Sequence, residues 1–414
     1  MVVLSYHTKN YPMSKSTFFT GQPIFSQLLK FIPRNTVTTV ARGFNADRYC
    51  KKFSTYDHLV SMLYGILNHC TSLREITTGM LAWEHRLSHL GVFHHPRRST
   101  ISDANNRRTS EVFEHIYLKL FDRYGHFLSD SCRQSKGSKL YIFDSTTITL
   151  FQEVLKAAGT NPLNGKRKGG IKVHTLIRSD QDVPCMVRFS PSAANDMKFL
   201  KDIHLPRGSV VVFDKGYNDY AAFNRFSKEN ISWVTRLHKH LVYKVQSEHD
   251  VTEVQLQKGV LYDQQIILGV DYKPHKPKVR ARLITFTDPE SGKTFEFLTN
   301  NFRMAPSTIA AIYKKRWQIE LLFKRIKQNY PLKYFLGDSE NAIKIQIWCA
   351  LIADLLLKII QKSSKAKWSF SNLAAMVRLH LMTYINLFHF LKHPEKALLK
   401  KIDSNPNTPL LFSP

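Results

Sequence analysis

The sequence predicts an α/β protein in which a core of strands and helices stands between helical regions. Three observations carry this. Apolar residues recur three and four apart through residues 24–130 and again after Pro306, the period of helices with one buried face. Between Lys139 and Leu237 short β-rich runs alternate with helical stretches. Residues 238–298 carry strand-like runs separated by turn signals. The partition expected is a helical region over 1–130, a strand-and-helix core over 138–237 and 299–345, a β-rich insertion over 238–298, and a helical region with a tail over 346–414.

Within the first region, FSQLLKFI, YDHLVSMLYGIL and SEVFEHIYLKLFDRY read as amphipathic helices, and TSLREITTG as a short helix after a turn. In HHPRRSTISDANNRR, Pro96 ends what precedes it and Ser99 can cap a new helix. That helix would display Asn105, Asn106, Arg107 and Arg108 beside Arg97 and Arg98. Amide and guanidinium groups at a helix end can read base edges and grip phosphates, so these are candidate DNA contacts. A solvated surface helix is the alternative.

KLYIFD then reads as a short strand ending at Asp144, and GIKVHTLIRS and PCMVRFSP as two strands joined by a turn. NDMKFLKDI is helical, SVVVFD is a buried strand ending at Asp214, YAAFNRFSKEN is a helix and ISWVTRL a strand. KHLVYKVQ, TEVQLQ, QQIILGVDY, VRARLITF and FEFLTN are strand-like. The run from Ile347 to Ile360 contains Asp354 and is short for a membrane span, so it reads as a buried core helix.

Charge narrows the function. Sixty Lys and Arg against 32 Asp and Glu give a formal net charge of +28. Such a field suits a polyanion, because basic side chains release counterions from a phosphate backbone. The five cysteines form no C-x-x-C pair, against a zinc knuckle or a disulfide framework and for a reducing cytosol. No secretory leader is visible at the amino terminus. The expectation is a soluble, cytoplasmic protein that engages nucleic acid and no membrane.

Two aspartates following buried apolar runs are costly unless charge or hydrogen bonds compensate them. On strands lying side by side they would repel unless a cation sat between them, and hard cations such as Mg²⁺ are held by a few carboxylates. The segment IYKKRWQIELLFKRIKQNY adds a third acid. As one helix at about 100° per residue, it sets Tyr313, Arg316, Glu320 and Lys327 near 0°, 300°, 340° and 320°, a narrow stripe bordering the apolar face of Ile312, Ile319, Leu322, Phe323 and Ile326. Glu320 is the only acid between Glu296 and Asp338. A surface Glu–Arg pair at four-residue spacing is the plainer reading, but it gives no reason for a tyrosine and a glutamate at the buried border.

The pattern Y-x2-R-x3-E-x6-K at Tyr313, Arg316, Glu320 and Lys327 resembles the YREK signature of DDE transposases of the insertion-sequence-four family. FDSTT around Asp144 and FDKGY around Asp214 look like that family's other two catalytic blocks. QLLKFIPR, SLREI, STISDANNRR and SENAIKIQIW also resemble its segments, so the likeness runs from about residue 20 to 390. The wide interval between Asp214 and Glu320 leaves room for the β-rich insertion found there in the family.

The resemblance implies an RNase H-like mixed sheet in which Asp144, Asp214 and Glu320 bind two Mg²⁺ or Mn²⁺ ions for DNA strand cleavage and transfer. It implies that Tyr313, Arg316 and Lys327 grip the DNA near the transposon end, with Arg236 close by. It puts Phe295 where the best-known member holds a flipped base against a tryptophan, and Trp233 is an alternative stacker. The partners implied are terminal inverted repeats, target DNA and a second copy in a homodimer, with the Ile347–Ile360 helix and its neighbours a place for protein contact. Lys166, Arg167 and Lys168, in the loop after the Asp144 strand, are further candidates for phosphate contact, although a plain hairpin explains them nearly as well. His174 reads as a core histidine before a ligand, and Lys172 carries no assigned role.

Overall fold

The computed structural model describes residues 21–129, 139–149, 170–192, 196–269, 277–365 and 367–395. The first part is helical: α1 (Ile24–Leu29), α2 (Arg34–Gly43), α3 (Thr55–Leu67), α4 (Leu73–Leu81), a 3-10 segment (Glu84–Leu90), α5 (Arg98–Arg107) and α6 (Ser110–Leu128). Ser54 and Ser72 accept backbone N–H bonds at the starts of α3 and α4, satisfying donors that a helix cannot satisfy itself. Arg97 rather than Ser99 occupies the cap position of α5, and no side chain caps it.

Strands β1 (Leu140–Thr149), β2 (Gly170–Arg178), β3 (Pro184–Pro191), β4 (Val210–Phe213) and β5 (Ser232–Arg236) follow, with α7 (Tyr220–Lys228) before β5. Next come β6 (Tyr243–Glu248), α8 (Glu253–Gln257), β7 (Val260–Leu268), β8 (Val279–Thr287) and β9 (Thr294–Thr299). The chain closes with α9 (Pro306–Lys314), α10 (Trp317–Asn329), α11 (Glu340–Ser364), α12 (Phe370–Leu379) and α13 (Leu387–Lys392).

All nine strands form one sheet in the order β3-β2-β1-β4-β5-β9-β8-β7-β6. An antiparallel β1-β2-β3 meander joined to parallel β4 and β5 is the mixed RNase H-like arrangement expected. Strand β9 pairs antiparallel with β5, and β8, β7 and β6 extend the sheet from it. Side chains alternate between the two faces. Ile142, Val212 and Val234 join one core with the amino-terminal helices and α11; Tyr141, Phe143, Phe213 and Trp233 join the other with α7.

Three local expectations need correction. TEVQLQ is helical, not a strand: it contributes no buried residue, and Gln255 accepts the Thr252 N–H at 3.1 Å, closing a helix start. Strand β1 does not end at Asp144. Its parallel pairing with β4 stops at Phe143, while its pairing with β2 runs on to Thr149. The helix carrying the YREK pattern is two helices. Between them Lys315 and Arg316 donate to Ile312 and Tyr313, the tighter i→i−3 spacing that breaks the α-helical ladder.

Helix α11 is buried nearly throughout, as expected of a core helix. Its fully buried Asp354 is clamped by Arg325 of α10 through two 3.0 Å bonds. Arg325 also donates to Asp182 at 2.6 Å, and Lys358 reaches the same carboxylate at 2.7 Å. Ile347 to Ile360 is almost wholly packed inside its own chain, so any contact with a second copy in this region would fall to its neighbours and not to this helix. Among the described residues no helix is long and apolar enough to cross a membrane.

Candidate active site

The register of β1 and β4 pairs Phe143 with Phe213, so one residue further along Asp144 and Asp214 stand side by side. Neighbouring strands lie ~4.8 Å apart, and alternation turns both carboxylates to the face of Ile142 and Val212. Helices α9 and α10 cover that face. Tyr313 donates to Asp214 at 3.4 Å, and Lys327 donates to Thr146, two residues beyond Asp144, at 2.6 Å. Arg316, where the two helices meet, donates to Asp144 at 3.0 Å and to Glu320 at 2.5 Å. The three acids and the Tyr-Arg-Lys set are thus one contiguous constellation, drawn from positions far apart in sequence.

Asp144 is the electrostatically stressed member. Burial, with repulsion from Asp214 and Glu320, pushes its carboxyl up to about 6, although a Ser145 N–H bond and Arg316 pull the other way. Burial likewise pushes the Tyr313 phenol up to about 12, so it remains a donor at neutral pH. Burial lowers the pKa of Lys327.

Oxygen-only donors suit Mg²⁺ or Mn²⁺, and the crowded negative charge at Asp144 is what a cation would relieve. The residue types therefore fit the ions. The spacing is not closed for one: among the described residues no three acids, histidines or cysteines are gathered to hold a metal ion, and the Arg316 guanidinium bridges Asp144 and Glu320.

Around this centre, Arg236 shares the face of Val234 and lies with its guanidinium 5.4 Å from the Phe295 ring. Phe295 is half-buried and stacks beside Phe297, which touches Tyr313. These rings, with Phe286, Arg316 and Trp317, line a cavity of about 440 Å³. Trp317 escaped the sequence reading; it is 58% exposed at the start of α10, and its signal was a large aromatic directly after Arg316.

The other expected positions divide: His174 sits in the core and Arg97, Arg98 and Arg107 are exposed, as expected, while Trp233, Asn105 and Arg108 are not where a DNA contact could use them. Trp233 is fully buried on the opposite face, stacked on Phe223 at 4.3 Å, and cannot receive a base. His174 pairs with Ser145, so it too points away from Asp144; its ring packs on Phe199 and bonds Ser190, and Lys172 lies on that same face. On α5, Arg97, Arg98, Asn106 and Arg107 are exposed, Arg107 pairing with Asp103. Asn105 and Arg108 are turned inward, which removes them as surface DNA contacts. Asn105 bonds His58 and the Leu336 carbonyl, while Arg108 binds Asp47, Thr55 and the Phe53 carbonyl. Lys166, Arg167 and Lys168 lie outside the described residues.

A family model described as a transposase DDE domain matches residues 135–356, and one described as a domain of unknown function matches 20–93. A Sinorhizobium fredii protein provisionally named transposase y4zB is 29% identical over 65% of this chain and 73% of its own length. A Synechocystis protein, provisionally named the transposase for insertion sequence element IS4SA, is 26% identical over 71% of this chain and 80% of its own. The solved piggyBac transposase synaptic complex with hairpin DNA aligns over 95% of this chain and 87% of that one, at 10% identity and a TM-score of 0.40, too remote to bear on the site. The first domain match spans more than half of the chain and takes in Asp144, Asp214 and Glu320, and the chain belongs to the DDE transposase family.

Proposed function

We propose that this protein cuts and rejoins DNA at the ends of an insertion sequence, with Asp144, Asp214 and Glu320 as the catalytic acids. These residues would hold two Mg²⁺ or Mn²⁺ ions, which supply charge stabilisation and lower the pKa of an attacking water or hydroxyl. The chain's own side chains do the rest. Tyr313 orients Asp214 through its hydroxyl. Arg316, Lys327 and Arg236 grip phosphates beside the acids, the guanidinium fork being suited to two phosphate oxygens. Phe295 and Trp317 offer ring faces to a base near the cut. Arg97, Arg98 and Arg107 engage the DNA flank at α5. A homodimer would pair two ends.

The observation that carries the reading is the meeting of Asp144 and Asp214 on adjacent strands with Glu320 joined to Asp144 through Arg316. The test uses the purified chain, Mg²⁺, a plasmid target and labelled DNA carrying the inverted repeats that flank its reading frame. Expected are cleavage and joining to the plasmid, with Asp144→Asn abolishing both and leaving DNA binding intact. Cutting without joining would make the protein a nuclease, and unchanged cleavage by Asp144→Asn would overturn the catalytic assignment.

A further inference from the structure

We infer that Arg316 is an internal counter-cation that keeps divalent ions from the site until DNA draws it away. This rests on the metal reading above and concerns what the arginine does before substrate arrives. Its guanidinium spans two acids from different elements, Asp144 on β1 and Glu320 on α10, with 16% of the side chain exposed. It stands between the carboxylates that would otherwise share an ion.

A guanidinium and a divalent cation compete for one pair of carboxylates, because two positive charges held that close repel each other, the more so where water is scarce. An ion held by both acids is favoured once Arg316 has moved off the oxygens it occupies. A phosphate is the fitting destination, since the same fork that matches a carboxylate matches phosphate oxygens. The route is short: Arg316 also lines the aromatic cavity with Tyr313 and Trp317, and Lys314 and Lys315 are exposed beside it. A DNA strand drawn to those lysines meets the arginine at the cavity wall. The buried Nε of Arg316 has no partner among the described residues, so its present bonds leave one donor unsatisfied. Linkage makes the effect reciprocal: DNA that takes Arg316 raises metal affinity, and metal raises DNA affinity by the same factor. An ion-loaded site is thereby confined to DNA-bound protein.

The test is a titration of the full chain with MnCl₂ at pH 8 and low salt, free Mn²⁺ being followed by electron paramagnetic resonance. Without DNA, Arg316→Met should bind Mn²⁺ on the order of tenfold tighter than wild type, with Arg316→Lys between them. A mixed-sequence DNA duplex should raise the affinity of wild type and leave that of Arg316→Met unchanged. Asp144→Asn in each background identifies the site, and circular dichroism with Arg316→Gln as a second variant controls for folding. If Arg316→Met and Arg316→Gln bind no tighter than a wild type whose binding is lost in Asp144→Asn, the gate is overturned and the metal reading stands. If Asp144→Asn alters Mn²⁺ binding in no background, with or without DNA, the metal reading falls and the gate with it.

Discussion

Asp144 should make the protein less stable, and replacing it should reveal by how much. Its carboxyl rises from an ordinary 3.8 to about 6, chiefly through burial, and its side chain is 18% exposed. At about 1.4 kcal/mol for each tenfold change in acidity, ionising it in the fold costs about 3 kcal/mol more than in the unfolded chain. The sign follows from which state binds the proton. Between about pH 4 and pH 6 the folded protein holds it more tightly, so stability falls as pH rises through that window, and above pH 6 the full cost is present. Asparagine carries no charge. Asp144→Asn, without divalent ions, should therefore exceed wild type by roughly 1–3 kcal/mol at pH 8, the lower figure allowing for the lost Arg316 bond. Near pH 4 the two should agree. Urea denaturation at both pH values measures the difference. A variant less stable than wild type at pH 8, or a difference that ignores pH, would refute the electrostatic account.

Removing Arg325 as Arg325→Met leaves the fully buried Asp354 without its clamp and should cost about 3–5 kcal/mol in denaturant unfolding. The double variant Arg325→Met/Asp354→Leu should recover most of that loss, and a double variant as unstable as the single one would count against the charge argument. On α5, Arg98→Ala should reduce the salt dependence of DNA binding by about one phosphate contact and leave the melting temperature alone. Arg108→Ala should do the reverse, lowering the melting temperature through its network with Asp47 and Thr55 while the salt slope stays put. An unchanged slope for Arg98→Ala in filter-binding titrations would remove that residue from the interface.

The centre of the site was legible because its acids follow apolar runs that only a buried strand explains. VVVF locates Asp214 and YIF locates Asp144, and their adjacency follows from the parallel register. The stripe on α9 and α10 was legible because three- and four-residue spacing survives the tightened turn at Lys315. What failed was facing. On α5 the buried stripe begins at Ile101 and Ala104, and Asn105 and Arg108 continue it at offsets of four and seven from Ile101. That phase was written in the sequence, but the partners that make polar residues tolerable there come from elsewhere, above all the Leu336 carbonyl supplied from far along the chain. Trp233 failed likewise: alternation along SWV assigns opposite faces to Trp233 and Val234, and only the packing of α7 says which face is which. TEVQLQ was too short for its periodicity to separate helix from strand.

The β5–β9 pairing has a consequence for how the molecule can flex. Because this seam is a backbone ladder and not a linker, β6 to β9 cannot swing against the remainder like a lid on a hinge; opening there would sever hydrogen bonds in the middle of one continuous sheet. Accommodation of a bulky duplex is thrown onto rotamers and the junction at Lys315. Excising residues 238–298 would strip β5 of a neighbour and leave a raw edge prone to sticking to other chains, so the strands on either side of that seam depend on one another.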